Sequence, residues 1–343
     1  VLTYGNLFQR DHTIGLSWIY APARPADANT LAALYSLPLT TVDNLSAYYA
    51  RSNTDTPTKS GLGGSTFTRG RYAGLVYHHD LPARQWPVTH AFDLGLDFKR
   101  SSDRNIDIAG VTTEKPSLHY EVLSARYNLS WRGENDNVTN LRAGLNTSIR
   151  SISERQVDCN GVRTEQFACK RSGASADFSV FKLGMGRVQN LPDNWQMKFD
   201  FDVQLASGPL VPAEQYSLGG VDSIRGYYDY EQSADQGWNT RLELISPAWL
   251  KFSDEEGVRA LLFWDRGELR LIKPLATEIP KVQMGSYGLG LRLDNSKGLT
   301  ARLDLAFPIF DTSKPTESGG QEAATGSQSA RRWRVDAALR QSF

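Results

Sequence analysis

Along most of the chain, apolar and polar residues alternate with a period of two, as in a strand whose two faces meet different media. In Gln196–Leu205 one face reads Met197, Phe199, Phe201, Val203 and Leu205, and the other Gln196, Lys198, Asp200, Asp202 and Gln204. Phe92–Lys99, Leu123–Arg132 and Leu299–Phe307 repeat the pattern. Fourteen strands are predicted: 12–21, 31–40, 44–53, 66–79, 88–101, 118–132, 138–151, 175–188, 194–206, 238–247, 257–268, 285–294, 299–310 and 331–343. No segment of comparable length has a 3.6-residue period.

The connections between these strands alternate between short and long. Thr41–Asp43, Arg132–Asn137, Gln189–Asp193, Phe252–Glu256 and Asn295–Gly298 are short. Asn53–Ser65, Ser102–Ser117, Ser153–Ala174, Gly208–Gln236, Leu269–Met284 and Asp311–Ala330 are long. A soluble sandwich with one wet face has no reason to sort its loops this way. An outer-membrane barrel does, with short periplasmic turns and long outer loops. The fold expected is therefore all-β, an antiparallel transmembrane β-barrel occupying residues 1–343. Its apolar stripe would face lipid, and its Arg-, Asp-, Lys- and Gly-rich stripe a wet lumen.

Composition agrees by exclusion. The 343 residues balance 38 Lys+Arg against 38 Asp+Glu, so the excess of positive charge a nucleic-acid binder relies on is missing. Mean hydropathy is −0.43, and no apolar run approaches the roughly 18 to 20 residues of a spanning helix. A barrel wall escapes that test because it is apolar only at alternate positions.

The chemistry-bearing residues are few. Cys159 and Cys169 share what reads as a polar loop, which suggests a disulfide and an oxidising compartment; two free thiols are the alternative. With no His nearby they make a weak metal site, and no metal or other cofactor is expected. His78 and His79 precede Asp80, but neighbours in a strand point to opposite faces, so a shared metal is disfavoured. No Ser/His/Asp or paired-carboxylate arrangement emerges, so no catalytic residue is assigned and an enzyme is not expected. No Walker-type sequence appears. Val1–Tyr4 show no initiator Met, basic region or apolar region, so no signal peptide is expected in this sequence, whether removed or never included.

Two segments break the strand pattern. The first is Ser217–Tyr227, in which Gly219, Gly220 and Gly226 permit unusual backbone angles around Ile224, Arg225 and Tyr227. The second is Phe263-Trp264-Asp265-Arg266-Gly267, where Phe263, Asp265 and Gly267 share the face opposite Val258, Ala260, Leu262 and Trp264. A carboxylate on the lumenal face, near a loop carrying a Gly-bounded Arg, suggests a loop folded inward and clamped. The pair resembles the motifs of the superfamily of outer-membrane assembly factors and two-partner-secretion transporters: a loop reading Gly-Gly…Val-Arg-Gly-Phe/Tyr and a wall motif Phe-x-Asp-x-Gly. Ile224 replaces the Val, and the wall motif is complete. Gly5–His12, Tyr35–Leu39 and Ser217–Gly220 resemble the two-partner-secretion (haemolysin and haemagglutinin exporter) branch. Trp333, Val335, Ala337, Leu339 and the final Phe343 resemble the C-terminal assembly signal of outer-membrane proteins, although Gln341 interrupts that face.

The resemblance implies a barrel of about sixteen strands, wide enough for an aqueous channel. Fourteen strands plus a fragment at Val1–Tyr4 are legible, and an open wall in lipid would leave backbone groups unsatisfied. The expectation is a piece of a larger protein lacking its first strand or two, its periplasmic polypeptide-binding domains and its plug helix. The function implied is export of one large partner protein through the bacterial outer membrane without ATP, with lipid and the barrel-assembly machinery as further partners. An assembly or insertion factor and a passive porin are the alternatives; the porin would need no inward arginine. Arg126, Arg142, Lys182, Lys198, Asp200, Asp202, Arg241, Glu243, Arg292, Asp304, Arg334 and Asp336 would keep the lumen wet, or pair among themselves and merely stabilise the wall.

Overall fold

A computed structural model describes residues 1–20, 29–59, 65–82, 87–106, 112–114, 116–251, 257–276, 278–294, 299–310, 312 and 333–341. In the first half the strands are β1 Leu2–Leu7, β2 His12–Tyr20, β3 Asn29–Pro38, β4 Asp43–Lys59, β5 Ser65–Leu81, β6 Val88–Ile106, β7 Thr112–Glu114, β8 Leu118–Arg132, β9 Val138–Ser148, β10 Gln156–Cys159 and β11 Val162–Glu165. Then follow β12 Ser179–Asn190, β13 Gln196–Ala206, β14 Tyr216–Leu218, β15 Gln232–Ala234, β16 Gln236–Ile245, β17 Leu250–Lys251, β18 Gly257–Arg270, β19 Lys281–Asp294, β20 Leu299–Pro308 and β21 Arg334–Gln341. Helices α1 (Arg150–Ser153) and α2 (Gln166–Lys170) lie between β9 and β12. No helix among the described residues is long and apolar enough to cross a membrane.

Each of the fourteen predicted strands has a counterpart, and β1 supplies the expected fragment, extended to Leu7. Two of the ends that differ do so for one reason. The segment predicted as 138–151 stops at Ser148, and that predicted as 175–188 starts at Ser179, because the residues between fold into a subdomain of their own. The short turns after β8 and β12 place Asn135 and Asp193 at φ 56° and 57°, a left-handed conformation that Asn and Asp tolerate better than most residues.

The chain divides into two compact units, with β8, β9, β12 and β13 contributing to both. The first comprises Val1–Leu129, Ala143–Phe181 and Ala206–Glu214. Here β1 through β6 form an antiparallel meander in which each strand pairs with the next. The second comprises Ser130–Arg142, Lys182–Leu205 and Gln215–Phe343, with β13, β16, β18, β19, β20 and β21 paired successively.

Register shows why this sheet cannot be a soluble one. Across the second unit Leu262 pairs with Leu289, Trp264 with Tyr287, Leu291 with Leu303 and Leu305 with Val335. Leu262, Trp264, Tyr287, Leu289, Leu291, Leu303 and Val335 are all exposed. So broad an apolar surface is a liability in water and a requirement in lipid. On the other face Arg241 sits opposite both Asp200 and Asp265, and Asp304 opposite Gly290 and Asp336.

The reading of Ser153–Ala174 as simply a polar loop is corrected. Phe167, Ala174, Ala176, Phe178, Val180, Leu210 and Val211 join Leu118, Tyr120 and Val122 in a buried core. Residues 156–159 and 162–165 form the β10–β11 hairpin, and the Glu165 carboxylate caps α2 through the amides of Phe167 and Ala168. Cys159 and Cys169 are joined by a disulfide that ties this hairpin to α2.

Candidate functional site

The segment Ser217–Tyr227 leaves the β14–β15 hairpin and lies against β18 within the second unit. Its backbone depends on glycine. Gly219, Gly220 and Gly226 have φ of 112°, 94° and 86°. A Cβ on Gly220 would fall 1.9 Å from Asp229 Oδ1, and one on Gly219 2.3 Å from the Tyr228 carbonyl oxygen. Ser223 closes the turn: its hydroxyl donates to the Gly219 carbonyl oxygen at 3.0 Å and accepts from the Gly219 amide at 2.9 Å.

This backbone delivers Arg225 to the wall. Its Nε donates to Asp265 Oδ2 at 2.8 Å and its Nη2 to Asp265 Oδ1 at 2.7 Å, the two-pronged fit that guanidinium and carboxylate geometry allow. The Arg225 amide also donates to Asp265 Oδ2. Nη1 donates to Glu243 Oε1 at 2.6 Å. The guanidinium carbon lies 3.6 Å from the centre of the Phe263 ring. Arg225 is 2 % exposed and Asp265 fully buried. A solvent-exposed Arg225 would have favoured the porin reading, and Arg225 is buried.

Each position of the wall motif therefore has a physical task. Phe263 presents a face to the cation, Asp265 presents its two oxygens, and Gly267 makes room. A Cβ at Gly267 would lie 2.8 Å from both Ile224 Cδ1 and Leu218 Cδ1. Ile224, in place of the family's Val, reaches into that space and is fully buried with Leu218, Tyr227, Ala234, Leu269 and Met284. Gly288 does for Phe263 what Gly267 does for Ile224, since a Cβ there would meet the Phe263 ring at 2.4 Å.

Tyr227 holds the far end of the segment. Its hydroxyl lies 3.0 Å from the Gly285 carbonyl oxygen and 2.9 Å from that of Phe310, and accepts from both amides at 3.3 Å. Sequence reasoning selected Tyr227 for its place in the motif, not for these bonds. It also left Glu243 among the general lumenal charges. The signal that would have promoted Glu243 is the β16–β18 register, which sets Glu243 opposite Phe263.

The remaining expected residues are distributed as follows. Arg241 pairs with Asp200, Arg292 with Asp304, Arg334 with Asp336 and Arg142 with Asp202. Pairing within the wall, one of the two readings of these charges, is thus what the structure shows for them. His78 Nδ1 lies 2.6 Å from Asp93 and His79 Nδ1 2.7 Å from Asp43, so the adjacent rings diverge to separate carboxylates. No group of residues that could hold a metal is present among the described residues. Phe343, the expected assembly signal, lies outside the described residues.

The sequence model of the family described as "Haemolysin secretion/activation protein ShlB/FhaC/HecB" matches residues 2–293. The chain belongs to this family. No curated protein sequence matches it. Among solved structures it resembles CdiB from Escherichia coli, with a TM-score of 0.68 at 17% identity, covering 90% of this chain and 55% of that one. CdiB from Acinetobacter baumannii follows at 0.64 and 15% identity, covering 99% and 55%. BamA from Haemophilus ducreyi lacking POTRA domains 1-3 gives 0.62 and 14%, covering 90% and 63%. The chain thus spans little more than half the length of either CdiB. Family and fold together make it an antiparallel outer-membrane β-barrel protein of the superfamily that the two motifs indicated.

Proposed function

We propose that the chain is the channel-forming part of a two-partner-secretion transporter that exports one large partner protein across the outer membrane. In this reading Arg225, seated on Asp265, holds Ser217–Tyr227 inside the barrel in the arrangement that conducts. The observation that carries it is the bidentate, almost fully buried Arg225–Asp265 bond. A charge taken from water on both sides is a costly way to add stability and a good way to fix one arrangement of a loop. Removing Arg225 strands Asp265, and removing Asp265 leaves the guanidinium with Glu243 alone, each at a cost of about 3 to 5 kcal/mol. No nucleotide takes part; folding of the exported chain outside would supply direction. Periplasmic polypeptide-binding domains, belonging to the longer protein, would deliver the cargo, and Phe343 would direct insertion by the assembly machinery.

The test is cargo release into the medium from cells producing Arg225→Ala or Asp265→Ala. Both abolish secretion, while unheated gel migration still reports a folded barrel. Normal secretion by both variants removes the clamp. Loss of other outer-membrane proteins on deletion, with cargo secretion unchanged, would instead identify an assembly factor.

A further inference from the structure

Past Arg225 the loop meets a second part of the wall, within the same unit. Tyr227 and Tyr228 take different partners: the Tyr227 hydroxyl reaches Gly285 and Phe310, and the Tyr228 ring lies against β21. In β21, Arg334 and Asp336 share the face opposite Val335, which is exposed as a lipid-facing residue would be. The guanidinium carbon of Arg334 sits 4.3 Å from the centre of the Tyr228 ring, and its Nε donates to Asp336 Oδ1 at 3.1 Å. Asp336 thus takes the edge of the guanidinium and Tyr228 its face, two uses that a planar cation allows at once. The Tyr228 backbone is equally constrained. Its amide donates to Glu231 Oε2 at 2.8 Å, and its carbonyl oxygen accepts from the Glu231 amide at 3.2 Å. The other Glu231 oxygen accepts from the Thr312 hydroxyl at 2.6 Å. The Tyr228 carbonyl oxygen is also the atom that a Cβ on Gly219 would strike. Tyr228 is therefore wedged between the opening turn of the loop and β21.

We infer that Arg334 is a positioning residue for the arginine loop and that Tyr228 is the contact through which it acts; this rests on the clamp reading above. Tyr228 follows Arg225 by three positions, so one short segment is held at two places on the wall. Fixing the second place lowers the entropy lost on seating Arg225 and raises the local concentration of its guanidinium at Asp265. Backing Tyr228 against Gly219 carries the constraint to the turn that Ser223 closes. The Tyr228 side chain is 50 % exposed, so apolar burial holds it weakly and the cation supplies the specific part of the contact. Arg225 itself touches only β16 and β18, through Glu243, Asp265 and Phe263. Arg334 makes β21 part of the seat as well. A slide of β21 by two residues along β20 would carry Arg334 about 7 Å from the ring and loosen the loop without disturbing the Arg225 partners directly. The position of β21 and the seating of the loop are then one linked equilibrium.

The experiment places a reporter in the loop of the whole protein in outer membranes. Both cysteines of this chain are joined in the disulfide, so Leu218→Cys supplies its one reactive thiol. The native side chain there is 1 % exposed, and the rate of maleimide labelling measures release of the loop. Tyr228→Leu and Arg334→Gln each accelerate labelling about threefold to tenfold, the response to losing one contact between a cation and a ring. The double variant is no faster than either. Tyr228→Phe keeps the ring and stays at the parent rate, and Arg225→Ala, the reference, gives the largest acceleration. A role for Arg334 confined to the pairing of β21 predicts that Arg334→Gln acts equally in the Tyr228→Leu background. Such additivity, or a Tyr228→Phe variant as fast as Tyr228→Leu, overturns the inference. If unheated gel migration shows that Arg334→Gln does not insert, the contrast between Tyr228→Leu and Tyr228→Phe decides. Acceleration by Arg225→Ala alone overturns the role of Arg334 and leaves the clamp standing. No acceleration by Arg225→Ala overturns the clamp on which it rests.

Discussion

The two segments that fold away from the sheet are buried in opposite ways. The 149–178 subdomain of the first unit follows the usual rule for a small domain: aromatic and aliphatic side chains around Phe167, a capped short helix and one covalent tie. The arginine loop of the second unit has a charged centre. Arg225 touches two carboxylates and a ring, and apolar contacts by Ile224, Leu218 and Tyr227 surround it. The first arrangement tolerates exchange of one apolar side chain for another of similar size. The second does not, because a guanidinium accepts few partners and stranding it is expensive. Tolerance in one place and intolerance in the other separates a scaffold from a working part.

The sharpest way to break this contrast is a double-mutant cycle on Arg225 and Asp265. Each alanine variant loses about 3 to 5 kcal/mol of loop seating, and the double variant loses less than the two together, because only Glu243 is then left without its arginine. Additive losses, read from protease accessibility of Ser217–Tyr227, would make the loop an ordinary packed segment. Phe167→Ala comes next, removing about 3 to 5 kcal/mol from the subdomain alone; limited proteolysis within 149–178 reports it, with the sheet intact. Opening the disulfide by Cys159→Ser with Cys169→Ser takes about 3 kcal/mol at most from the same subdomain, given its 10-residue separation. The smallest effect is that of Ile224→Val. It restores the family residue, costs about 1 kcal/mol over Gly267, and leaves secretion intact. Complete loss of secretion in that variant would show that filling this space, rather than the charge, governs the loop.

How much of this was legible in the sequence follows the same division. Strands declare themselves one residue at a time, because lipid on one side and polar surroundings on the other leave a period-two record. That record located β8 at Leu118–Arg132 without error. The Arg225–Asp265 pair was legible because two short motifs carry it, and Gly267 explains itself once Ile224 is seen above it. The subdomain was not legible. Its core is drawn from Leu118, Tyr120, Phe167, Phe178 and Leu210, residues far apart in sequence and interrupted by Asp, Arg and Gln, and no period marks such a set. Glu243 was invisible as a partner for the same reason: it gains its meaning from a strand register that only three dimensions supply.

The coupled charges of the second unit reach beyond stability. Arg241 with Asp200, Arg292 with Asp304 and Arg334 with Asp336 cancel within a few ångströms, and the chain as a whole sums to zero. Opposite charges so close together leave only a short-range dipole, which salt at cellular strength erases beyond about 8 Å. In the proposed channel such couples would be electrically quiet, neither pulling in nor turning away a polypeptide by the sign of its residues. Under that proposal, admission would be left to width and to the arginine at its seat.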